Sequence, residues 1–240
     1  LIIAGGEDML CEICSLHPRF REWFGDRCEM GIGLCCEEAA RIIINSKISF
    51  GLHLLRSEGG ETKPMDMLHS RLLKIRAELF EIINGCEDFF SMCEKLLYRS
   101  AEAERELTGN FPNISAALRS RKFMGKAVSL LSSLEPINGK WENICGSINA
   151  DNTPDFADTA GYKNILAYFI FRYFMKSGSD GEIFLKSAFA VFSAQMIALI
   201  EKSCGMSLED SACLWSKEVE YSCENLEVIF DFLYEEYYSE

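Results

Sequence analysis

Apolar residues recur at three- and four-residue steps through most of this chain, and that spacing limits the fold more than any other feature. In "MDMLHSRLLKIRAELFEIIN", Leu68, Leu72, Ile75, Leu79 and Ile82 fall on one side of a helix that Gly85 should stop. "CEDFFSMCEKLLYRSAEAEREL" predicts a second helix, and "ISAALRSRKFMGKAVSLLSSLE" a third that ends before Pro136. "YKNILAYFIFRYFMK", the apolar stretch Ile183 to Ile200 and "LEDSACLWSKEVEYSCENLEVIFDFLYEEYY" continue the pattern, the last as one or two helices. Only 5 prolines interrupt the 240 residues, and Val and Thr are too sparse for a substantial sheet. The expectation is a mainly α protein, a helical bundle.

The N-terminal stretch breaks this pattern. Residues 1 to about 33 are rich in glycine and cysteine and read as an irregular lobe. "CCEEAARIIINSK" then predicts a short helix, with Glu37 and Glu38 in its first turn at the positive end of the dipole. The polar stretch Ser57 to Asp66 is the expected joint, and Ala150 to Lys163 a second loop. The division expected is a cysteine-rich lobe over 1–56, ending in the short helix, and a helical domain over 65–240.

Charge and composition exclude several function classes. A net charge of −13 opposes a protein that tracks nucleic-acid phosphates, and it equally disfavours an anionic membrane surface. Neither a nucleic acid nor a membrane is an expected partner. Lys186 and Gln195 interrupt "IFLKSAFAVFSAQMIALI", which reads as a buried helix rather than a span. The opening "LIIAGGEDML" has no basic export region and no Met, so the chain reads as cytoplasmic and as a fragment that begins late. Its 11 cysteines are odd in number and too dilute for a disulfide scaffold, which also fits a reducing compartment.

Five of those cysteines crowd into the first 36 residues: Cys11, Cys14, Cys28, Cys35 and Cys36. Cys11 and Cys14 form a C-x-x-C pair, a spacing at which two thiolates can share one metal or exchange a disulfide. The later thiols do not repeat it, so the pattern suits part of an iron–sulfur or zinc site better than a complete zinc finger. Inert core thiols remain the alternative. Adjacent side chains diverge, so one of Cys35 and Cys36 is the ligand and the other packing. His17 is a candidate fourth ligand or a solvated loop residue. The scattered thiols Cys86, Cys93, Cys145, Cys204, Cys213 and Cys223 read as small core hydrophobes. Arg172, inside "YFIFRYF", calls for a carboxylate or phosphate partner if buried. No nucleotide loop, G-x-S-x-G or H-E-x-x-H is present, and 3 histidines leave little material for hydrolase chemistry.

One run is more specific. Leu10 to Cys14, His17-Pro18-Arg19, Phe24-Gly25, Glu29, Gly31 to Cys36 and Glu38-Ala39-Ala40-Arg41 together resemble the bacterial flagellin lysine-N-methylase family. "YKNILAYFIFRYFMK" and "SKEVEYSCENLE" are similar to later segments of that family and follow in the same order. The resemblance implies a methyltransferase that moves a methyl group from S-adenosylmethionine to lysines of flagellin. It also implies an iron–sulfur cluster, or another metal such as zinc, bound through Cys11, Cys14 and Cys36. The lobe over 1–56 is then metal-binding. Two departures stand out: the family's upstream cysteines would precede Leu1, and the proline that often follows the last cysteine is Glu37 here.

Lysine methylation needs a neutral amine aligned with the sulfonium methyl, which is a matter of burial and positioning. Tyr168, Tyr173 and Trp141 are candidates to line such a slot, because aromatic faces suit a cationic sulfonium. The acidic surface would favour flagellin or another lysine-rich protein substrate. The cluster is expected to organise structure rather than to react. A different class remains open, a non-catalytic metal-stabilised helical adaptor that binds a basic protein. So does a thiol redox sensor built on Cys11 and Cys14, without metal.

Overall fold

The computed structural model describes residues 16–47, 50–53, 64–114, 120–137, 139–152, 156 and 159–239. Its centre is the helix Ile183–Cys204, in which every residue from Ile183 to Ile200 is buried. A helix that is apolar all round has no face to offer water and must be enclosed by others. By length and composition it could cross a membrane, yet here its apolar stretch is wholly covered by protein.

The elements in chain order are β1 (Arg19–Phe24), β2 (Arg27–Ile32), α1 (Glu37–Ile44), α2 (Met67–Gly85), α3 (Phe89–Thr108), α4 (Arg121–Leu131), α5 (Trp141–Ser147) and α6 (Thr159–Tyr173). A short 3₁₀ turn (Phe174–Lys176) leads into α7 (Ser177–Asp180), the central α8 (Ile183–Cys204) and α9 (Leu208–Trp215). A π-helical turn (Ser216–Glu220) and α10 (Cys223–Tyr238) complete the described chain. Helices α3, α5, α6, α9 and α10 surround α8, and α2 lies against α3 and α6. The mainly α fold class read from the spacing is the one observed.

Side-chain caps set where several helices begin. Asp66, Asp88, Ser120, Ser207 and Ser222 each accept the backbone N–H three residues on, at 2.7 to 3.4 Å. Each satisfies a donor that the helix itself cannot. The third expected helix therefore starts at Arg121, behind its Ser120 cap, and its earlier residues 115–119 lie outside the described set. Likewise α6 already begins at Thr159, so the loop expected through Lys163 ends sooner.

One expectation fails. The stretch up to Gly33, read as irregular throughout, contains an antiparallel hairpin in which Arg19 pairs with Ile32 and Phe24 with Arg27. Two six-residue runs, "RFREWF" and "RCEMGI", flank Gly25-Asp26. Gly25 has φ 63, the sign a glycine-first two-residue turn requires. Alternation and turn chemistry outweigh the cysteine and glycine content. Phe20 packs on Phe171 and Phe24 on His69, with ring centroids 5.8 and 5.5 Å apart.

The same hydrophobic core includes Phe24 and Leu34, Ala40 and Ile44 of α1, and the residues of the helices that follow. Asn164 of α6 ties down the end of α1, donating to Ile44 O at 3.0 Å and Ser46 O at 2.9 Å. Arg76 of α2, with no exposed side-chain surface, donates to both oxygens of Glu29 on β2 at 2.5 and 2.7 Å. A bidentate pair of this kind fixes orientation as well as position. The hairpin is thereby bolted to the bundle.

Candidate functional site

Three stretches far apart in sequence meet at one buried carboxylate. Glu220, the last residue of the π-helical turn, lies 3.2 Å from Nε of Arg172 on α6. Tyr168 donates to its two oxygens at 3.0 and 3.1 Å, Tyr173 at 3.1 Å, and Ser216 at 2.5 Å. The Tyr168 hydroxyl in turn accepts from Arg172 Nη1 at 2.6 Å and from the backbone N–H of Leu34 at 3.3 Å. The loop between β2 and α1 is thus joined to α6 and to the π-helical turn through a single phenol.

The local helix geometry explains the convergence. Tyr168 and Arg172 are one turn apart on α6, and Ser216 and Glu220 are the ends of the π-helical turn, so each pair presents a common face. The wider π turn follows α9 without a break and leaves Tyr221 half exposed just beyond it. Such turns recur at functional sites because they re-aim side chains that a regular helix would misplace.

Above the carboxylate lies the cysteine turn. Cys35 is buried and its thiol donates to the Tyr221 hydroxyl at 3.0 Å, while the Cys213 thiol donates to Cys35 O at 3.2 Å. Gly33 leaves no spare room: an added Cβ would lie 3.2 Å from Arg172 Nη1, 3.3 Å from Pro18 O and 3.3 Å from the Tyr221 hydroxyl. Phe20 covers the Arg172 guanidinium at 4.7 Å, and Tyr173 and Tyr221 flank it at 5.8 Å.

The electrostatics follow from burial. Burial, then the Glu220 charge, pushes the phenols of Tyr168 and Tyr173 well above the usual tyrosine range. Burial and the bond from Cys35 push Tyr221 up to about 12. Burial works against the charge on Arg172, but Glu220 and the tyrosines outweigh it and hold the guanidinium above its ordinary value. Burial also raises the Cys35 thiol. Every phenol of the cluster is therefore a proton donor at neutral pH, and none is a base.

The residues expected from the sequence fare unequally. Arg172 has the carboxylate partner its burial demands, and Tyr168 and Tyr173 stand beside it. Trp141 is buried elsewhere, its indole N–H on Leu131 O at 3.2 Å, and takes no part in the cluster. Cys11 and Cys14 lie outside the described residues. Cys36, half buried, occupies the cap position of α1 without bonding its first turn. Cys28 is half buried on β2, and His17 is exposed. Among the described residues no group of three or more His, Cys, Asp or Glu side chains is arranged to hold a metal ion.

Glu220, Ser216, Tyr221 and Gly33 were not singled out as site residues by the sequence. The signal for the carboxylate was indirect: a basic residue within an aromatic helix implies a distant acid, but several glutamates compete for that role. A shallow depression of about 530 Å³ lies apart from the cluster, lined by Ile82, Glu94, Tyr98 and Glu102 among others. No protein-family profile, curated protein or solved structure matches the chain.

Proposed function

We propose that this chain is a cytoplasmic protein-lysine N-methyltransferase of the flagellin lysine-methylase type, taking methyl groups from S-adenosylmethionine to lysines of flagellin or another lysine-rich protein. One observation supports the reading above others. The three segments that carry the family resemblance meet at Glu220: Leu34 through Tyr168, the aromatic helix through Arg172, and the "SKEVEY" segment through Ser216 and Glu220. Segments that resemble one family and converge in space are expected to serve one site.

The chain's own residues would act by placement. The protonated phenols of Tyr168 and Tyr173 lock Glu220, and Glu220 locks Arg172, so the aromatic surround of Phe20 and Tyr221 is held rigidly. A lysine drawn against this aromatic surround would lose water, and that favours the neutral amine. No phenolate is available as a base, so the work is desolvation and alignment with the donor methyl.

Of the three ligands that the resemblance implies for the cluster, Cys36 is the one that lies among the described residues. Cys36 would suit a ligand role, because it sits half buried at the cap position of α1 with its side chain making no bond to the helix's first turn. Its neighbour Cys35 would not, since its thiol is spent on Tyr221. With Cys11 and Cys14, Cys36 would hold an iron–sulfur or zinc centre that cross-links the N-terminal segment to α1.

A second reading, the metal-stabilised helical adaptor, draws on a specific feature. Glu220 has no side-chain exposure and its partners already satisfy it, as in a purely structural cluster. Protein purified without oxygen, incubated with methyl-labelled S-adenosylmethionine and flagellin, separates the two. Label on flagellin lysines supports the methyltransferase. A stable complex with flagellin and no label on it supports the adaptor and overturns the first reading.

A further inference from the structure

Lys95 on α3 turns to sulfur rather than to a carboxylate. Its Nζ lies 3.4 Å from Sγ of Cys86, the cap residue that ends α2, and donates to it. Glu87, Asp88 and Glu94 stand close by in the chain, yet among the described residues Lys95 makes no ion pair. Lys217 also approaches a thiol, that of Cys213, but it divides itself between that thiol and Glu37 at 3.8 Å. Cys86 and Lys95 are thus two nucleophiles in contact, with no carboxylate drawing the amine away.

The pair is open on one side. Cys86 keeps 8% of its surface exposed, enough for a molecule as small as hydrogen peroxide. Lys95 is exposed and lines the shallow depression with Ile82 and Tyr98. Its four-carbon stem is flexible, so the amine can close the remaining distance to the sulfur without moving either helix. Cys93, seven residues on, has no exposed surface.

We propose that Cys86 and Lys95 become joined by a sulfur–nitrogen bond when the protein meets hydrogen peroxide. The Cys86 sulfur attacks one peroxide oxygen and the O–O bond breaks, which leaves a sulfenic acid and one water. Lys95, its ammonium proton given to solvent, then attacks that sulfur. The S–O bond breaks, the hydroxyl leaves with an amine proton as a second water, and a sulfenamide remains. The sulfur is oxidised by two electrons, and the peroxide takes them up. Sulfenic acids condense with thiols and with backbone nitrogen, and a lysine amine at contact distance can take the same role.

The bond would staple the end of α2 to α3 across the Glu87-Asp88 turn, and it would withdraw a cation from the rim of the depression. It draws nothing from methyl transfer, and it lies apart from the thiols assigned to a metal. Thiols reduce such bonds, so the modification is a reversible mark of oxidant.

The test treats the full chain, purified without oxygen, with hydrogen peroxide, blocks the remaining thiols with iodoacetamide and digests with trypsin. A peptide spanning 77–99 is expected, uncut after Lys95, with Cys93 alkylated, Cys86 not, and two hydrogens missing. Dithiothreitol added before blocking should restore cleavage after Lys95. Lys95→Arg keeps a cation beside the sulfur but offers no amine to condense. In that variant, with circular dichroism unchanged, cleavage after residue 95 should persist and Cys86 should go on to the sulfinic acid. The proposal is overturned by complete cleavage after Lys95 in peroxide-treated protein, or by a Cys86 left unmodified. A disulfide between Cys86 and Cys93, or the same two-hydrogen loss in Lys95→Arg, overturns it as well.

Discussion

The Nε of Arg172 lies 3.2 Å from Oε1 of Glu220, and the Glu220 side chain has no exposed surface. This pair joins α6 to the end of the π-helical turn, and Tyr168, Tyr173 and Ser216 complete its coordination. Removing one partner of a buried pair costs more than the pair contributes, because the other charge is left without compensation.

Glu220→Ala is therefore expected to lower stability by about 3–5 kcal/mol, with Arg172 stranded among aromatic rings. Glu220→Gln, which keeps the shape and two acceptor directions, should cost less. Urea unfolding of the two variants checks the order. An alanine variant as stable as the parent would mean that the cluster does not hold the fold.

The hairpin rests on the second buried pair. Glu29→Ala leaves Arg76 enclosed with only the Phe171 carbonyl at 3.4 Å, and should cost about 3–5 kcal/mol. The double variant Glu29→Leu, Arg76→Met should recover much of that loss, since it removes both charges. A double-mutant cycle measures the coupling. Additive single and double effects would show that the two residues act separately.

Gly33→Ala should destabilise by about 1–3 kcal/mol, because its Cβ meets Arg172, Pro18 O and Tyr221 at 3.2 to 3.3 Å. Gly51→Ala is the control, with nothing within 4 Å of the added atom. Its expected effect is neutral or slightly stabilising. Similar losses at both positions would contradict the tight approach at Gly33.

Alkaline pH should unfold the protein through its tyrosines. Tyr168, Tyr173, Tyr237 and Tyr238 are all raised, first by burial. Above about pH 10 the unfolded chain releases phenolic protons that the folded chain retains, so stability falls as pH rises. Below that pH their contribution is fully present. Of the 8 tyrosines, these four should ionise late in an ultraviolet titration, together with Tyr221 near 12. Eight tyrosines ionising together near 10 in folded protein would refute the burial argument.

Metal content bears on the thiols. Protein purified without oxygen is expected to carry iron and acid-labile sulfide, and Cys36→Ser to lose both together with folding and activity. A Cys36→Ser variant that folds and loses activity alone would place the centre in the chemistry instead. Zinc without sulfide would leave a structural site and remove the iron–sulfur expectation.

Much of the helical architecture was legible because three-and-four spacing reports which residues share a face, and that is a local property. Leu72, Ile75 and Leu79 read as a core stripe and are buried as one. Asp66 and Ser207 cap their helices for an equally local reason, though the sequence alone puts Asp66 in a loop and does not single out Ser207. The hairpin was equally local but was masked by composition. "RFREWF", Gly25-Asp26 and "RCEMGI" carry alternation and a glycine-first turn, and cysteine content obscured them. The unnoticed partner of Arg172 is a different matter. Nothing near Arg172 in the chain distinguishes Glu220 from Glu218 or Glu224.

By itself, then, the sequence determined most of the helices, the burial of an apolar segment and the need for a carboxylate or phosphate beside a buried Arg172. Periodicity and burial cost are properties of the residues alone. Only the tertiary structure decided which acid it is, that the cysteine turn rests on Tyr168 and Tyr221, and that the strand acids face inward while Arg21 and Trp23 face out. Those outcomes depend on how α6, the π-helical turn and the hairpin approach one another, and long-range approach is set by packing rather than by any local pattern.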